Sequence, residues 1–177
     1  MTHYKALIAT SIATAIVALS SLAPASATGR YTAANASGRC QAALPAFEGA
    51  IRKRPLALQN EGTSSAFVTC SFVAEGSNYT IPASFTIWAA NSGTAAATLS
   101  CTAVVGYNTG DVSYVAKTVT LQPTGVQGQI FWGPTEYPDG LETGAPISLS
   151  CNLPVGVGIN DTYFSYEDGY AAPAAAP

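Results

Sequence analysis

The chain has 177 residues, of which 48% are hydrophobic and only 10% charged, and its net charge at neutral pH is −3. A mildly acidic balance argues against nucleic acid as a partner, because nucleic-acid binders present basic surfaces. Histidine occurs once, at His3, so Ser-His-Asp catalysis, Cys-His catalysis and histidine metal ligation are excluded from the rest of the chain.

Residues 1–27 read as a signal peptide. Lys5 supplies a positive start, and Ala6 to Leu19 form an apolar run broken by Thr10, Ser11 and Thr14. Ala25-Ser26-Ala27 is a small-residue cleavage site. The run is shorter than the roughly 20 residues of a membrane-spanning helix, and no later stretch is apolar enough to span. An exported protein, periplasmic or extracellular, is expected. Its mature part of about 150 residues suits one domain.

Residues 28–39 are small and polar and are expected to form a flexible N-terminal arm. The domain itself is placed at residues 40–170. Within it, Gln41 to Ala50 accommodates one short helical turn, and Arg52-Lys53-Arg54 stands just before Pro55 at a strand entrance. Strands are expected at Pro55–Gln59, Val68–Phe72, Ser84–Ala90, Leu99–Ala103, Ser113–Leu121, Val126–Trp132, Leu149–Leu153 and Thr162–Tyr166. Turn residues separate them, among them Asn91-Ser92-Gly93, Asn108-Thr109-Gly110-Asp111, Pro123-Thr124-Gly125 and Pro138-Asp139-Gly140. About eight short antiparallel strands at regular intervals imply an all-β fold, a single jelly-roll-like β-sandwich. Residues 171–177, rich in Ala and Pro, have nothing to bury and are expected as a disordered tail.

Three of the strands carry a cysteine in phase with apolar residues and send Ser, Thr or Asn to the other side: Val68-Thr69-Cys70-Ser71-Phe72, Leu99-Ser100-Cys101-Thr102-Ala103 and Leu149-Ser150-Cys151-Asn152-Leu153. Side chains alternate faces along a strand, so these cysteines point inward. An even cysteine count in an exported chain means two disulfides, and the wide spacing does not suit zinc, which uses close pairs. The expected pairs are Cys40–Cys70, where an irregular N-terminal cysteine reaches the nearest strand, and Cys101–Cys151, joining two facing strands. Closing that fifty-residue loop is worth ~4 kcal/mol in the chain-entropy model. Lys117 is discordant: it falls in phase with Val115, Val119 and Leu121, which requires a bulge or an edge strand.

Candidate sites are few. No phosphate-binding loop or nucleophile elbow is present. The carboxylates Glu136, Asp139 and Glu142 form one cluster, and Asp161, Glu167 and Asp168 another. A carboxylate-based hydrolase would need such a pair, but turn-associated carboxylates are read as solvated loop charge, and no catalytic residue is assigned. Loop oxygens from Asp161, Glu167 and Asp168, with Asn160, are candidates for calcium. Trp88 is out of phase with Phe85 and Ile87 and should point outward, whereas Trp132, in phase with Ile130 and Val126, should join the core. Packing in a core or interface is the plainer reading for both tryptophans. An exposed sugar-binding face is the alternative, with Trp88, Tyr107 and Tyr114 as candidate contacts. Arg52 and Arg54 are candidates for an anionic polysaccharide or lipopolysaccharide phosphate.

The stretches Arg52-Lys53-Arg54-Pro55-Leu56, Gln59-Asn60-Glu61-Gly62, Phe67-Val68-Thr69-Cys70-Ser71 and Cys151-Asn152-Leu153-Pro154, running on to Gly156, Gly158 and Ile159, resemble those of small exported proteins of Gram-negative bacteria with two disulfides. The resemblance covers Cys40 to Gly169. It implies a bacterial, exported, disulfide-bonded protein and carries no catalytic residues. The resemblance transfers no function; with no histidine after His3 and no carboxylate pair in a catalytic setting, a non-catalytic envelope or extracellular protein without cofactors is expected. Its partner is a protein or a glycan at the cell surface, or a second copy of itself through weakly charged strand edges. Recognition of a surface polysaccharide is the alternative function.

Overall fold

The computed structural model describes residues 28–72, 79–106, 110, 112–123, 125–137 and 147–168. The expected signal peptide and tail, Tyr107, Asp139 and Glu142 lie outside them. The described residues form eleven strands: β1 (Thr28–Asn35), β2 (Cys40–Ala42), β3 (Ile51–Arg54), β4 (Ala57–Asn60), β5 (Ala66–Phe72), β6 (Tyr79–Asn91), β7 (Ala97–Gly106), β8 (Val112–Leu121), β9 (Gly128–Trp132), β10 (Ile147–Leu153) and β11 (Val157–Asp168). One sheet has the order β3-β4-β11-β6-β9, with β1 also pairing β11, and the other the order β2-β5-β10-β7-β8. All pairings are antiparallel. The fold is a jelly-roll-like β-sandwich.

Period-two alternation builds the core. β5 reads Ala66, Val68, Cys70 and Phe72 inward, and β10 reads Ile147, Leu149, Cys151 and Leu153 inward. They face Leu58, Phe85, Ile87, Ile130, Ile159 and Phe164 of the other sheet, all buried. Trp132 is fully buried, as its phase requires, and stacks on Phe85 at 4.8 Å between centroids. Phe72 joins Phe85 to Phe164, at 5.4 and 6.2 Å.

Both disulfides lie in one sheet. Cys40 is joined to Cys70 and Cys101 to Cys151, and each pair occupies directly opposed ladder positions on neighbouring strands, β2–β5 and β10–β7. The second bond thus joins neighbours within a sheet and not strands facing across the sandwich, because β10 returns between β5 and β7.

Three further expectations are corrected. Residues 28–35, read as a loose arm, pair with β11 through eight consecutive positions, and Ala36 beyond them is fully buried. The expected strand at Pro55–Gln59 is a hairpin, with Pro55 and Leu56 in the turn and Arg52, Lys53 and Arg54 inside β3. β3 is an edge strand, which tolerates such charges. Val126 precedes β9 and is exposed. The helical turn spans Pro45–Glu48.

Lys117 occupies an edge strand, and the β7–β8 register runs without a bulge. Its Nζ donates to the Phe131 carbonyl at 2.6 Å and pairs with Glu136. Trp132 Nε1 donates to the Val115 carbonyl at 2.9 Å. These contacts close the side of the sandwich where β8 meets β9. The Lys117 hydrogen bond, and after it the Gly133 N–H, hold the Glu136 carboxyl below its usual range. A depressed folded-state pKa stabilises above the unfolded value, about 4.3, and the contribution is lost as pH falls through the lowered value. Glu136→Gln is expected to cost about 0.5–1 kcal/mol at pH 7. It should also flatten the fall of Tm below pH ~4. Parallel acid-limb Tm profiles for the two proteins would sink this account.

Candidate ligand-binding face

The outer face of the β1/β11/β6/β9 sheet displays aromatic side chains. In β6, Phe85, Ile87 and Ala89 are buried, so Trp88 projects outward and is half-buried. In β9, Phe131 lies between buried Ile130 and Trp132 and is 48% exposed. In β11, Tyr163 lies between buried Thr162 and Phe164 and is 40% exposed.

Register brings the three together. Tyr163 stands opposite Thr86, and Thr86 opposite Phe131. Trp88 stands between Asp161 and Gln129 in the adjacent row. Trp88 is therefore diagonal to both Tyr163 and Phe131, about 7–8 Å away and within reach for large side chains. Asp161 and Gln129 occupy the positions on either side of Trp88, and Thr86 lies between the other two. Further along the same face, the Ser84 and Ser165 hydroxyls pair at 2.7 Å, beside exposed Tyr31 of β1.

A bulge makes this arrangement possible. The β11–β6 register shifts between Ile159 and Asp161, leaving Asn160 as the extra residue. Without it, strict alternation from buried Ile159 would turn Tyr163 inward. With it, Thr162, Phe164 and Tyr166 face the core and Tyr163 faces out. The Asn160 Oδ1 is itself buried without a hydrogen-bond partner. The residue lines a hollow of about 100 Å³ with Gln59, Ala90, Gly156 and Gly158, on the same face as Trp88.

The other candidates disperse. Tyr114 is exposed on β8, in phase with the outward residues of the opposite sheet. Arg54 makes two 2.6 Å hydrogen bonds to Glu61, which raise the guanidinium pKa and lower that of the carboxyl. Arg52 is turned to the carbonyls of Glu48 and Ile51 at 3.2 and 3.3 Å. The calcium set is not assembled. Asp161 and Glu167 are six residues apart on one strand, roughly 20 Å at ~3.3 Å per residue, and no acidic cluster able to hold a metal occurs among the described residues. The Asp168 side chain lies outside the description. Burial pushes the Tyr137 phenol pKa up, and its hydroxyl is buried without a partner.

No family model matches the chain, and no curated protein matches it. Among solved structures, it is similar to the C-terminal CBM6 of LamC, a marine laminarinase from Zobellia galactanivorans, at 8% identity and a TM-score of 0.47, covering 76% of this chain and 98% of that one. It is also similar to the CBM22-2 xylan-binding domain of Paenibacillus barcinonensis Xyn10C, at 11% identity and a TM-score of 0.44 over 77% and 96% of the chains. The module TmCBM61, solved in complex with β-1,4-galactotriose, gives 12% identity and a TM-score of 0.41 over 76% and 86%.

Proposed function

We propose that the protein is a non-catalytic module that binds a neutral polysaccharide on the outer face of the β1/β11/β6/β9 sheet. The observation that carries this reading is the convergence of Trp88, Tyr163 and Phe131 on one face beside Asp161, Gln129 and Thr86. Sugar rings offer apolar faces rimmed by hydroxyls. An aromatic plane takes the first, and carboxylate, amide and hydroxyl groups take the second.

Self-association through strand edges has less in its favour. β2 has three residues, β3 carries Arg52, Lys53 and Arg54, and the long edge strand β8 turns Lys117 inward toward β9. Short edges, edge cations and inward charges each discourage pairing between chains.

The test is a titration with soluble xylan, β-glucan, galactan and mannan, followed by tryptophan emission. Trp132 is buried in the core, so a ligand-dependent change reports Trp88. A saturable change with at least one polymer is expected. Silence across the panel, together with concentration-dependent oligomers in light scattering, would favour the assembly reading instead.

A further inference from the structure

The side of the sandwich between β2 and β3 is open. A cleft of about 510 Å³ lies there, lined by Arg39, Gln41, Lys53, Thr69, Ser71 and Ser148 around the Cys40–Cys70 bond. Two of these side chains are cations, three are hydroxyls and one is an amide, and among the described residues no carboxylate lines the cleft. Ladder pairing fixes the floor: Gln41 is opposite Thr69, and Ser71 opposite Ser148. Lys53 reaches it from the other sheet, where its β3 position pairs with buried Leu58. Arg39 is the last residue of a single helical turn, Ala36–Arg39, and donates from Nη2 to Thr32 Oγ1 at 3.3 Å. That bond steadies the guanidinium while leaving most of its five N–H groups for a ligand. An adjoining hollow of about 370 Å³ shares Gln41 and Lys53 but carries Glu48, Leu44 and Pro45, so among the described residues the lining with cations and no carboxylate belongs to the Arg39 side.

We infer that this cleft is a second binding site, for a tetrahedral oxyanion such as a sulfate ester carried on a polysaccharide. The guanidinium fork and the ammonium supply charge-assisted hydrogen bonds, and the hydroxyls and the Gln41 amide supply neutral donors. The protein's net charge is −3, so its overall field repels a polyanion and attraction has to be local. The site is independent of the aromatic face, which lies on the outer surface of one sheet.

The test compares inorganic sulfate, dextran sulfate and neutral dextran by calorimetry. The proteins are the unaltered chain, Arg39→Ala/Lys53→Ala, Arg39→Gln/Lys53→Gln, Arg52→Ala/Arg54→Ala and Trp88→Ala. Dextran sulfate is expected to bind more tightly than neutral dextran. Both cleft variants should lose at least 10-fold in affinity with unchanged Tm, whereas Arg52→Ala/Arg54→Ala should bind within 2-fold of the unaltered chain; Trp88→Ala reports any share of the aromatic face in holding the glucan backbone. Binding of inorganic sulfate as well would identify the ion itself as sufficient. The inference is overturned if no sulfate-bearing probe binds, if the cleft variants bind normally, or if the Arg52/Arg54 variant loses as much, which would indicate diffuse charge attraction. Loss in Trp88→Ala alone would overturn the cleft and leave the aromatic face standing.

Discussion

Trp88→Ala is expected to weaken binding of a neutral polysaccharide by about 10- to 100-fold, or 1.4–2.7 kcal/mol, the range of a well-placed aromatic contact. The indole is half-buried on the outer face, opposite Asp161 and Gln129 in register, and is not part of the core, so Tm should move little. Trp132→Ala is the contrasting substitution. It removes a fully buried ring stacked on Phe85 and the donor to the Val115 carbonyl. Thermal unfolding of both variants, alongside a polysaccharide titration, separates the roles. Should Trp88→Ala bind normally, the aromatic face is not the site. Should it destabilise as Trp132→Ala does, its place on that face is structural.

The second large effect is one of stability. Asn91 is fully buried at the corner where β6 leaves one sheet for β7 in the other. Its Nδ2 donates to the carbonyls of Ala95 and Leu121 at 2.8 and 3.2 Å, and its Oδ1 accepts from Gly93 N–H at 2.8 Å. Asn60 does the same where β4 passes to β5: Nδ2 to the carbonyls of Ser64 and Leu153 at 2.9 and 2.8 Å, and Gly62 N–H to Oδ1 at 2.9 Å. Replacing either by alanine leaves three backbone groups without this partner, one of them buried (the Leu121 or the Leu153 carbonyl) and two part-buried. At ~1–3 kcal/mol per orphaned group, discounted for relaxation and entering water, we expect about 3 kcal/mol per variant. That corresponds to a Tm lower by about 6–12 °C in a domain of this size. Asn91→Asp retains the acceptor and loses both donors, and should be nearly as damaging. A loss below about 1 kcal/mol in chemical denaturation would mean that water replaces the side chain.

These corners were written in the sequence. Asn60-Glu61-Gly62-Thr63 and Asn91-Ser92-Gly93-Thr94 each precede a cysteine, Cys70 and Cys101, by the same interval from Asn. The strand alternation around the cysteines does not reveal this, because the signal lies in the turn before each strand. Phase alone placed Trp88 outside and Trp132 inside. The same rule reaches Phe131 between Ile130 and Trp132. It fails for Tyr163, because a bulge is invisible to periodicity and Ile159 counts Tyr163 inward. Nor can phase tell that residues 88, 131 and 163 meet, since that depends on which strands become neighbours. The N-terminal strand is not legible in the sequence because Thr28–Asn35 has little apolar content, and its extended form is imposed by pairing with β11. Proximity in sequence misled in the opposite direction for Asp161 and Glu167, which an extended strand holds apart.

The pairing of β1 with β11 has a mechanical consequence. Thr28 and Asp168 are register partners, so the ends of the sandwich leave side by side. Antiparallel ladder bonds run perpendicular to the strands. A pull that separates these two ends therefore loads each bond along its own length, one after another. β1 would peel away as a zipper opens, with none of the collective resistance of strands sheared lengthwise. Both cystines lie in the other sheet and take no share of that load, which makes the β1–β11 seam the first to part when the protein is held at its ends.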